Sequence, residues 1–217
     1  MRTGVFGGTF NPVHYGHLRA AEEACLALGL DRVLFVPAGT PPLKQEGLAG
    51  IEERVRMVEL AIENNPLFEL SMAEAYMDGK SYTVDTLKTL QLENPGDSLM
   101  FILGVDAFCD MHRWKDPEGL MSSADFLVMS RPGHPFAPIS HLPYAILPEG
   151  AIASLDSGDV SCVEGALRGG RRLCLLKITG MGVSATMIRE LISGGDSVRY
   201  LLPEAVESFI MSNGLYR

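Results

Sequence analysis

Short apolar runs alternate along the chain with longer segments in which apolar residues recur at helical spacing. The short runs predict strands at residues 2–6, 32–36, 68–71, 99–103, 126–129 and 173–178. The longer segments predict helices at residues 16–28, 51–63, 83–93, 184–193 and 203–212. Strands that alternate with helices indicate βαβ units. We therefore expect an α/β protein with a Rossmann-like, doubly wound parallel sheet and flanking helices.

One stretch, residues 132–170, is rich in proline and glycine and shows no sustained apolar period. We interpret it as a long, elaborated connection whose path the pattern does not predict. A chain of 217 residues is short enough for one hydrophobic core, so we expect a single domain spanning residues 1–217.

Composition and charge narrow the function classes. The net charge of −9 argues against a broad nucleic-acid or anionic-membrane surface, although a few local donors are enough to bind a small phosphate ligand. No apolar stretch approaches the roughly 18 residues of a membrane span, and glycines interrupt the first apolar run early, so we expect neither a membrane span nor a signal peptide. The four cysteines, at positions 25, 109, 162 and 174, lack metal-ligand spacing, which indicates reduced thiols and a cytoplasmic protein.

The densest chemical pattern is the string GGTFNPVHYGHL at residues 7–18, between the first predicted strand and the first predicted helix. Its glycines allow backbone N–H groups to approach an anion, and the following helix N-terminus favours phosphate. His14 and His17 are spaced to point donors into the same pocket. A metal pair is the alternative, but no third ligand has suitable spacing, so we predict no dedicated metal site. The P-loop and G-x-G-x-x-G strings are absent.

This string resembles the first signature of the nucleotidyltransferase superfamily. The string VSATMIRE at residues 183–190 resembles the second, with Ala185 in place of the usual serine. Ser184 is suited to cap a helix that carries Arg189 one turn later. The resemblance implies that His14, His17 and Arg189 are catalytic, and that ATP is bound by Gly8, Thr9, Phe10, His14, His17, Gly104, Asp106, Ser184, Thr186 and Arg189.

Further strings resemble bacterial nicotinate mononucleotide adenylyltransferases: VPAGTPPLK at 36–44, SYTVDTL at 81–87, FILGVD at 101–106, SRPG at 130–133 and NGLYR at 213–217. The resemblance implies transfer of AMP from ATP to nicotinate mononucleotide, giving deamido-NAD and pyrophosphate. It assigns the acceptor to Lys44, Tyr82, Thr83, Trp114 and Arg131, with the lone tryptophan stacked on the pyridine ring.

The implied chemistry needs no general base, because the second pKa of a phosphate monoester lies near about 6 and the nucleophile is already an anion. Mg²⁺ is expected on the ATP phosphates themselves. One alternative is a sibling enzyme that uses nicotinamide mononucleotide or phosphopantetheine; another is a non-catalytic nucleotide sensor, which only Ala185 favours. The sequence predicts neither the ratio of nicotinate to nicotinamide selectivity nor the oligomeric state.

Overall fold

A central β-sheet organises the computed structural model, which describes residues 1–40, 47–77 and 79–217. Its strands within these ranges are β1 Arg2–Gly8, β2 Arg32–Pro37, β3 Phe68–Leu70, β4 Ser98–Gly104, β5 Asp125–Met129, β6 Ala145–Ile146, β7 Cys162–Leu167 and β8 Arg172–Leu176. The α-helices are α1 Tyr15–Leu28, α2 Ile51–Ile62, α3 Thr83–Glu93, α4 Val105–Asp110, α5 Pro117–Ser123, α6 Ala151–Ser157, α7 Ala185–Gly194 and α8 Glu204–Ser212. Short 3-10 helices lie at Met111–Arg113 and Ala137–His141.

The strand order is β3-β2-β1-β4-β5-β8-β7-β6. The first six strands in this order are parallel to their neighbours among these six. The order reverses between β1 and β4, because the chain first builds outwards to β3 and then returns to the other side of β1. Such a reversal leaves a crevice beyond the carboxyl ends of the strands. The predicted doubly wound α/β fold is confirmed, as are the six predicted strands.

The edge formed by β6 and β7 departs from the expected parallel sheet. β7 pairs antiparallel with both β6 and β8. A tight turn joins β7 to β8, with Gly170 at φ 82° and the Leu167 N–H donating to the Arg171 carbonyl at 2.8 Å. Most β7 side chains are half-buried, so the strand left no apolar run in the sequence. This pairing also brings Sγ of Cys162 and Cys174 within 3.1 Å, which their sequence spacing did not suggest.

Two hydrophobic cores cover opposite faces of the sheet, since successive strand residues point to opposite sides. Phe6 of β1 belongs to the first core, which α1, α2, α7 and α8 cover. Val5 belongs to the second core, which α3, α4, α5 and α6 cover. Every strand that contributes to the crevice is therefore fixed by packing on both faces.

The helix ends follow the signals in the sequence. Gly29 closes α1 in the left-handed region at φ 57°, and Ser184 Oγ accepts the Met187 N–H at 3.2 Å at the start of α7. Pro203, predicted as the first residue of the last helix, is instead its N-cap. In the described part of the chain, helices fall short of the length and apolarity needed to cross a membrane.

Candidate active site

A cavity of about 1070 Å³ opens beyond the carboxyl ends of β1, β4, β5 and β8. Its walls come from the β1–α1 loop, the start of α4, residues 129–134 and residues 178–189. The structure brings ten of the predicted site residues to this cavity: Thr9, Phe10, His14, His17, Gly104, Asp106, Arg131, Ser184, Thr186 and Arg189. The two sequence signatures, far apart along the chain, therefore face one cavity.

His14 and His17 form a stacked pair at the start of α1. Their ring centroids lie 3.8 Å apart with 25° between the planes. The His14 backbone N–H donates to His17 Nδ1 at 3.3 Å. Because Nδ1 accepts this bond, the neutral His17 ring carries its proton on Nε2 and has that N–H left to offer.

Both imidazoles are neutral at pH 7. Burial lowers the pKa of His14 to about 4, and the nearby Arg131 guanidinium adds to the effect. The pKa of His17 is held well below its usual range by burial, by His14 and by Arg131. His14 Nδ1 is itself buried without a hydrogen-bond partner, which further disfavours the doubly protonated ring. The histidines thus offer hydrogen bonds without a fixed positive charge, and an anion placed beside them would raise both pKa values.

These depressed pKa values predict acid sensitivity. The unfolded chain takes up a proton at His14 near pH 6.5, whereas the folded protein resists it until about pH 4, so stability is full above pH 6.5 and falls as the pH drops towards 4. We expect the titration of His14 to lower the free energy of unfolding by roughly 2 kcal/mol when the pH falls from 7 to 5. Urea titrations of wild type and His14→Gln at both pH values measure this. Identical pH dependence in the two proteins would contradict it.

The N-terminus of α1 is packed closely beside this pair. A Cβ added at Gly16 would lie 3.0 Å from the His14 ring and 3.1 Å from a Val183 methyl, so a larger residue would crowd the contact between the two signatures. The Tyr15 N–H donates to the Leu201 carbonyl at 3.1 Å. The first turn of α1 contributes a partial positive charge to the cavity wall, a favourable environment for phosphate.

Arg189 joins the two signatures. Its Nη1 donates to the Asn11 carbonyl at 2.9 Å, and its Nη2 lies 3.5 Å from Thr186 Oγ1. Ser184 caps α7 one turn earlier, as the sequence predicted. The guanidinium is therefore held at the cavity wall by backbone and hydroxyl acceptors, with no carboxylate to neutralise it in this set of contacts.

Asp106 and Arg131, which the sequence assigned to different substrates, bind each other. Arg131 Nη1 lies 2.6 Å from Asp106 Oδ2, with 54 % and 33 % of the two side chains exposed. An exposed pair of this kind contributes about 1 kcal/mol or less. Substrate groups can therefore displace it at little cost, and both side chains are available to ligands.

Three residues predicted for the acceptor lie outside the lining of this cavity and on the other face of the sheet. Tyr82 and Trp114 pack against the second core, and Thr83 begins α3 next to Tyr82. Lys115 Nζ lies 4.5 Å above the Tyr82 ring. Trp114 meets Phe101 edge-on, with centroids 6.3 Å apart. The three residues and Lys115 form a separate group, the α3–α5 group, between the start of α3 and the start of α5.

Two other predicted site residues, Lys44 and Gly8, are also absent from the cavity lining formed by the described residues. Lys44 lies outside the described residues. Gly8 is not on the cavity lining; a Cβ there would come within 3.0 Å of the Phe10 ring, so the glycine makes room for that ring. Phe10 is itself buried between Phe6 and Phe35. These contacts give Gly8 and Phe10 a structural part in shaping the loop.

The sequence did not suggest the part played by Arg54, on α2. Its side chain is 1 % exposed and donates to four backbone carbonyls. The acceptors are Thr9 at 3.0 Å, Ala38 at 2.6 Å, Gly39 at 2.9 Å and Ala49 at 3.1 Å. One buried guanidinium therefore ties the β1–α1 loop to the segments that follow β2 and precede α2.

Among the described residues, no three or more His, Cys, Asp or Glu side chains lie together in a way that could hold a metal ion. In the cavity lining, Asp106 is already paired with Arg131 and the histidines are neutral nitrogen donors. Mg²⁺ prefers oxygen ligands. The described residues of the cavity therefore do not themselves form a magnesium site.

The chain is similar to known proteins over its full length. The model of the cytidylyltransferase-like family matches residues 5–191. Proteins named probable nicotinate-nucleotide adenylyltransferase are similar over the full length: that of Geobacter sulfurreducens is 42 % identical over 100 % of this chain and 98 % of its own. That of Desulfatibacillum aliphaticivorans is 41 % identical over 100 % of both chains.

The chain belongs to the nicotinate-nucleotide adenylyltransferases of the cytidylyltransferase-like family. The fold of the family is seen in a solved Plasmodium falciparum structure, nicotinic acid mononucleotide adenylyltransferase complexed with NaAD. It superposes with a TM-score of 0.74 at 18 % identity, over 99 % of this chain and 97 % of that one. The same protein complexed with APC gives a TM-score of 0.72 at 18 % identity, over 99 % and 96 %.

Proposed function

We propose that the protein transfers AMP from magnesium–ATP to the phosphate of nicotinate mononucleotide and releases pyrophosphate. The observation that carries this proposal is the convergence of His14, His17, Arg189 and the α1 N-terminus on one cavity. The relatives named for this activity support the choice of acceptor. The same proposal treats residues 1–217 as one catalytic domain working in the cytoplasm.

The reaction is an in-line displacement at the α-phosphorus of ATP. An anionic oxygen of the acceptor phosphate forms the new P–O bond, and the bond from that phosphorus to the bridging oxygen of the β-phosphate breaks. The electron pair leaves with pyrophosphate. No proton has to be removed from the nucleophile, so the site needs positioning and charge stabilisation instead of a base.

The donor half of the site supplies that stabilisation. We assign the triphosphate to the His17 Nε2–H, to His14, to the first turn of α1 and to the Arg189 guanidinium. Charge grows on the bridging oxygen as pyrophosphate leaves, and preorganised donors stabilise it most where water is excluded. Ser184 and Thr186 lie on the same wall and complete the phosphate contacts.

Mg²⁺ enters as part of the ATP substrate. We propose that the phosphates and water hold it, since the described cavity residues offer no oxygen-rich set for it. No protein residue is assigned to the ion, and the roles of the side chains do not depend on one.

Asp106 and Arg131 change partners when substrates bind. Asp106 follows Gly104 at the carboxyl end of β4, the place from which an acidic residue reaches ribose hydroxyls in doubly wound folds. Arg131, released from Asp106, is free to bind the acceptor phosphate in bidentate geometry. Before substrates bind, the ion pair between Asp106 and Arg131 keeps both side chains at the cavity.

The α3–α5 group is proposed to hold the pyridine end of the acceptor. Backbone N–H groups at the start of α3 suit a carboxylate, and the Trp114 face suits an electron-poor ring. Lys44 is proposed to hold an acceptor phosphate as a point charge.

Binding of the acceptor should be visible in tryptophan fluorescence, because Trp114 is the only tryptophan in the chain. We expect nicotinate mononucleotide to quench it in a saturable manner and ATP alone to leave it nearly unchanged. Trp114→Leu removes the aromatic face and should raise KM for the acceptor about tenfold, a usual loss for one stacking contact. An unchanged KM in Trp114→Leu would place the pyridine ring elsewhere.

The experiment that tests the proposed function measures pyrophosphate release with ATP and Mg²⁺. Nicotinate mononucleotide, nicotinamide mononucleotide and phosphopantetheine are compared as acceptors. Strong preference for the first supports the proposal. Preference for another acceptor would keep the donor chemistry and overturn the acceptor assignment. Binding of ATP without turnover of any acceptor would favour a nucleotide sensor, the reading that Ala185 alone suggests.

A further inference from the structure

The segment 213–217, which resembles its family counterpart but has no role in the mechanism above, folds back from α8 towards the β1–α1 loop. Gly214 reverses the chain direction at φ 63°. The Leu215 N–H donates to the Ile210 carbonyl at 3.1 Å, which anchors the reversed segment to the last turn of α8. The Tyr216 ring then packs against the first core. The Tyr216 hydroxyl therefore lies beside the β1–α1 loop.

The Tyr216 hydroxyl donates to Asn11 Oδ1 at 2.7 Å. Asn11 is 2 % exposed, and its side chain is held on both sides. Oδ1 also accepts the Ala49 N–H at 3.1 Å, while Nδ2 donates to the Gly47 carbonyl at 3.1 Å. Tyr216 therefore supplies the second hydrogen bond to the oxygen of a buried amide in the middle of the first signature.

The backbone on both sides of this contact is unusual. Tyr216 has φ 64° and Phe10, which precedes Asn11, has φ 48°. Non-glycine residues in the left-handed region persist only where surrounding contacts hold them, and such positions cluster at functional sites. The bond between Tyr216 and Asn11 is one of the contacts that hold these two segments.

Asn11 passes this constraint to the phosphate side of the cavity. Its side chain binds Tyr216, and its carbonyl accepts Arg189 Nη1 at 2.9 Å. We propose that Tyr216 is a positioning residue for the triphosphate, acting through Asn11 to hold Arg189 and the β1–α1 loop. This inference rests on the proposed function, because it assigns the triphosphate to that wall of the cavity.

The effect of Tyr216 is expected to fall mainly on ATP. The α3–α5 group packs against the second core, on the opposite face of the sheet from the Tyr216 ring. Loss of the hydroxyl leaves the Asn11 amide held by Gly47 and Ala49 alone. It loosens the residue whose carbonyl accepts from Arg189, while leaving Trp114 and Tyr82 where they are. A general structural role would disturb the binding of both substrates alike.

Tyr216→Phe removes the hydroxyl and keeps the packing of the ring. We expect KM for ATP to rise about fivefold, the usual effect of one hydrogen bond, with KM for nicotinate mononucleotide unchanged within about twofold. Calorimetry with a non-hydrolysable ATP analogue should show the same loss of affinity. Tyr76→Phe is the matched control, since that ring is 70 % exposed and lies outside the cavity lining.

A double-mutant cycle with Arg189→Lys tests the route through Asn11. If Tyr216 acts through Arg189, its effect on analogue binding shrinks in the lysine background. An unchanged affinity in Tyr216→Phe, full additivity in the cycle, or an equal rise of both KM values with a large fall in Tm would each overturn the inference. Because analogue binding needs no acceptor, a wild-type protein without turnover would defeat the proposed function and still leave this test readable.

Discussion

Replacing His17 by alanine is expected to lower kcat about 100-fold to 1000-fold, the range for removing one preorganised donor to a developing anion. The neutral ring has its Nδ1 occupied by the His14 N–H, so the Nε2–H is the group it has for the leaving pyrophosphate. Stability should change far less than turnover. Steady-state kinetics of pyrophosphate release, together with thermal unfolding, measures both effects.

Two substitutions of His17 by residues with amide side chains test the two ring nitrogens separately. His17→Asn keeps an acceptor near the position of Nδ1 and can still bind the His14 N–H, but it lacks the distal donor. His17→Gln places an N–H near the position of Nε2. We expect the asparagine variant to be as slow as the alanine variant, and the glutamine variant to recover about tenfold. Equal activity of all three with wild type would remove His17 from the mechanism.

The second large effect is expected on stability, at Arg54. Arg54→Met keeps much of the side-chain volume but leaves four backbone carbonyls without their donor. Loss of a buried, charge-assisted hydrogen-bond set costs about 3–5 kcal/mol. For a chain of this size about 3 kcal/mol corresponds to a fall in Tm of roughly 6–12 °C. Calorimetry or urea unfolding measures the change.

Arg56→Met provides the control on the same helix. The Arg56 side chain is 54 % exposed and pairs with Glu59 at 3.0 Å, an i,i+3 surface pair. Such pairs contribute a few tenths of a kcal/mol, so we expect Arg56→Met to unfold within about 1–2 °C of wild type. If the two variants lost equal stability, the carbonyl contacts of Arg54 would contribute nothing beyond an exposed charge.

The fold and the position of the two signatures at the cavity could be predicted from the sequence because both depend on local signals. Apolar runs fixed the strands of the parallel sheet, and each signature lies where a strand ends or a helix begins. Ser184 could be identified as a cap because capping depends on a few neighbouring residues. β7 was missed because its side chains are only half-buried and its pairing comes from a turn.

Contacts between distant segments could not be predicted from such local signals. Arg54 did show one local signal, because a charged residue is unusual between Ile51 and Val58 on the apolar face of α2. Its acceptors, however, are backbone carbonyls that only the folded loops bring together. The ion pair between Asp106 and Arg131 was not predicted from the sequence either, because each side chain was assigned to a substrate.

The division of the molecule into two cores has a consequence for how enzymes of this architecture diversify. The residues proposed for ATP rest mainly on the first core, and the α3–α5 group rests on the second. Substitutions in the α3–α5 group around Trp114 can accumulate without loosening the histidine pair. A lineage built on this sheet can therefore exchange one phosphate acceptor for another while its adenylylating machinery is inherited intact.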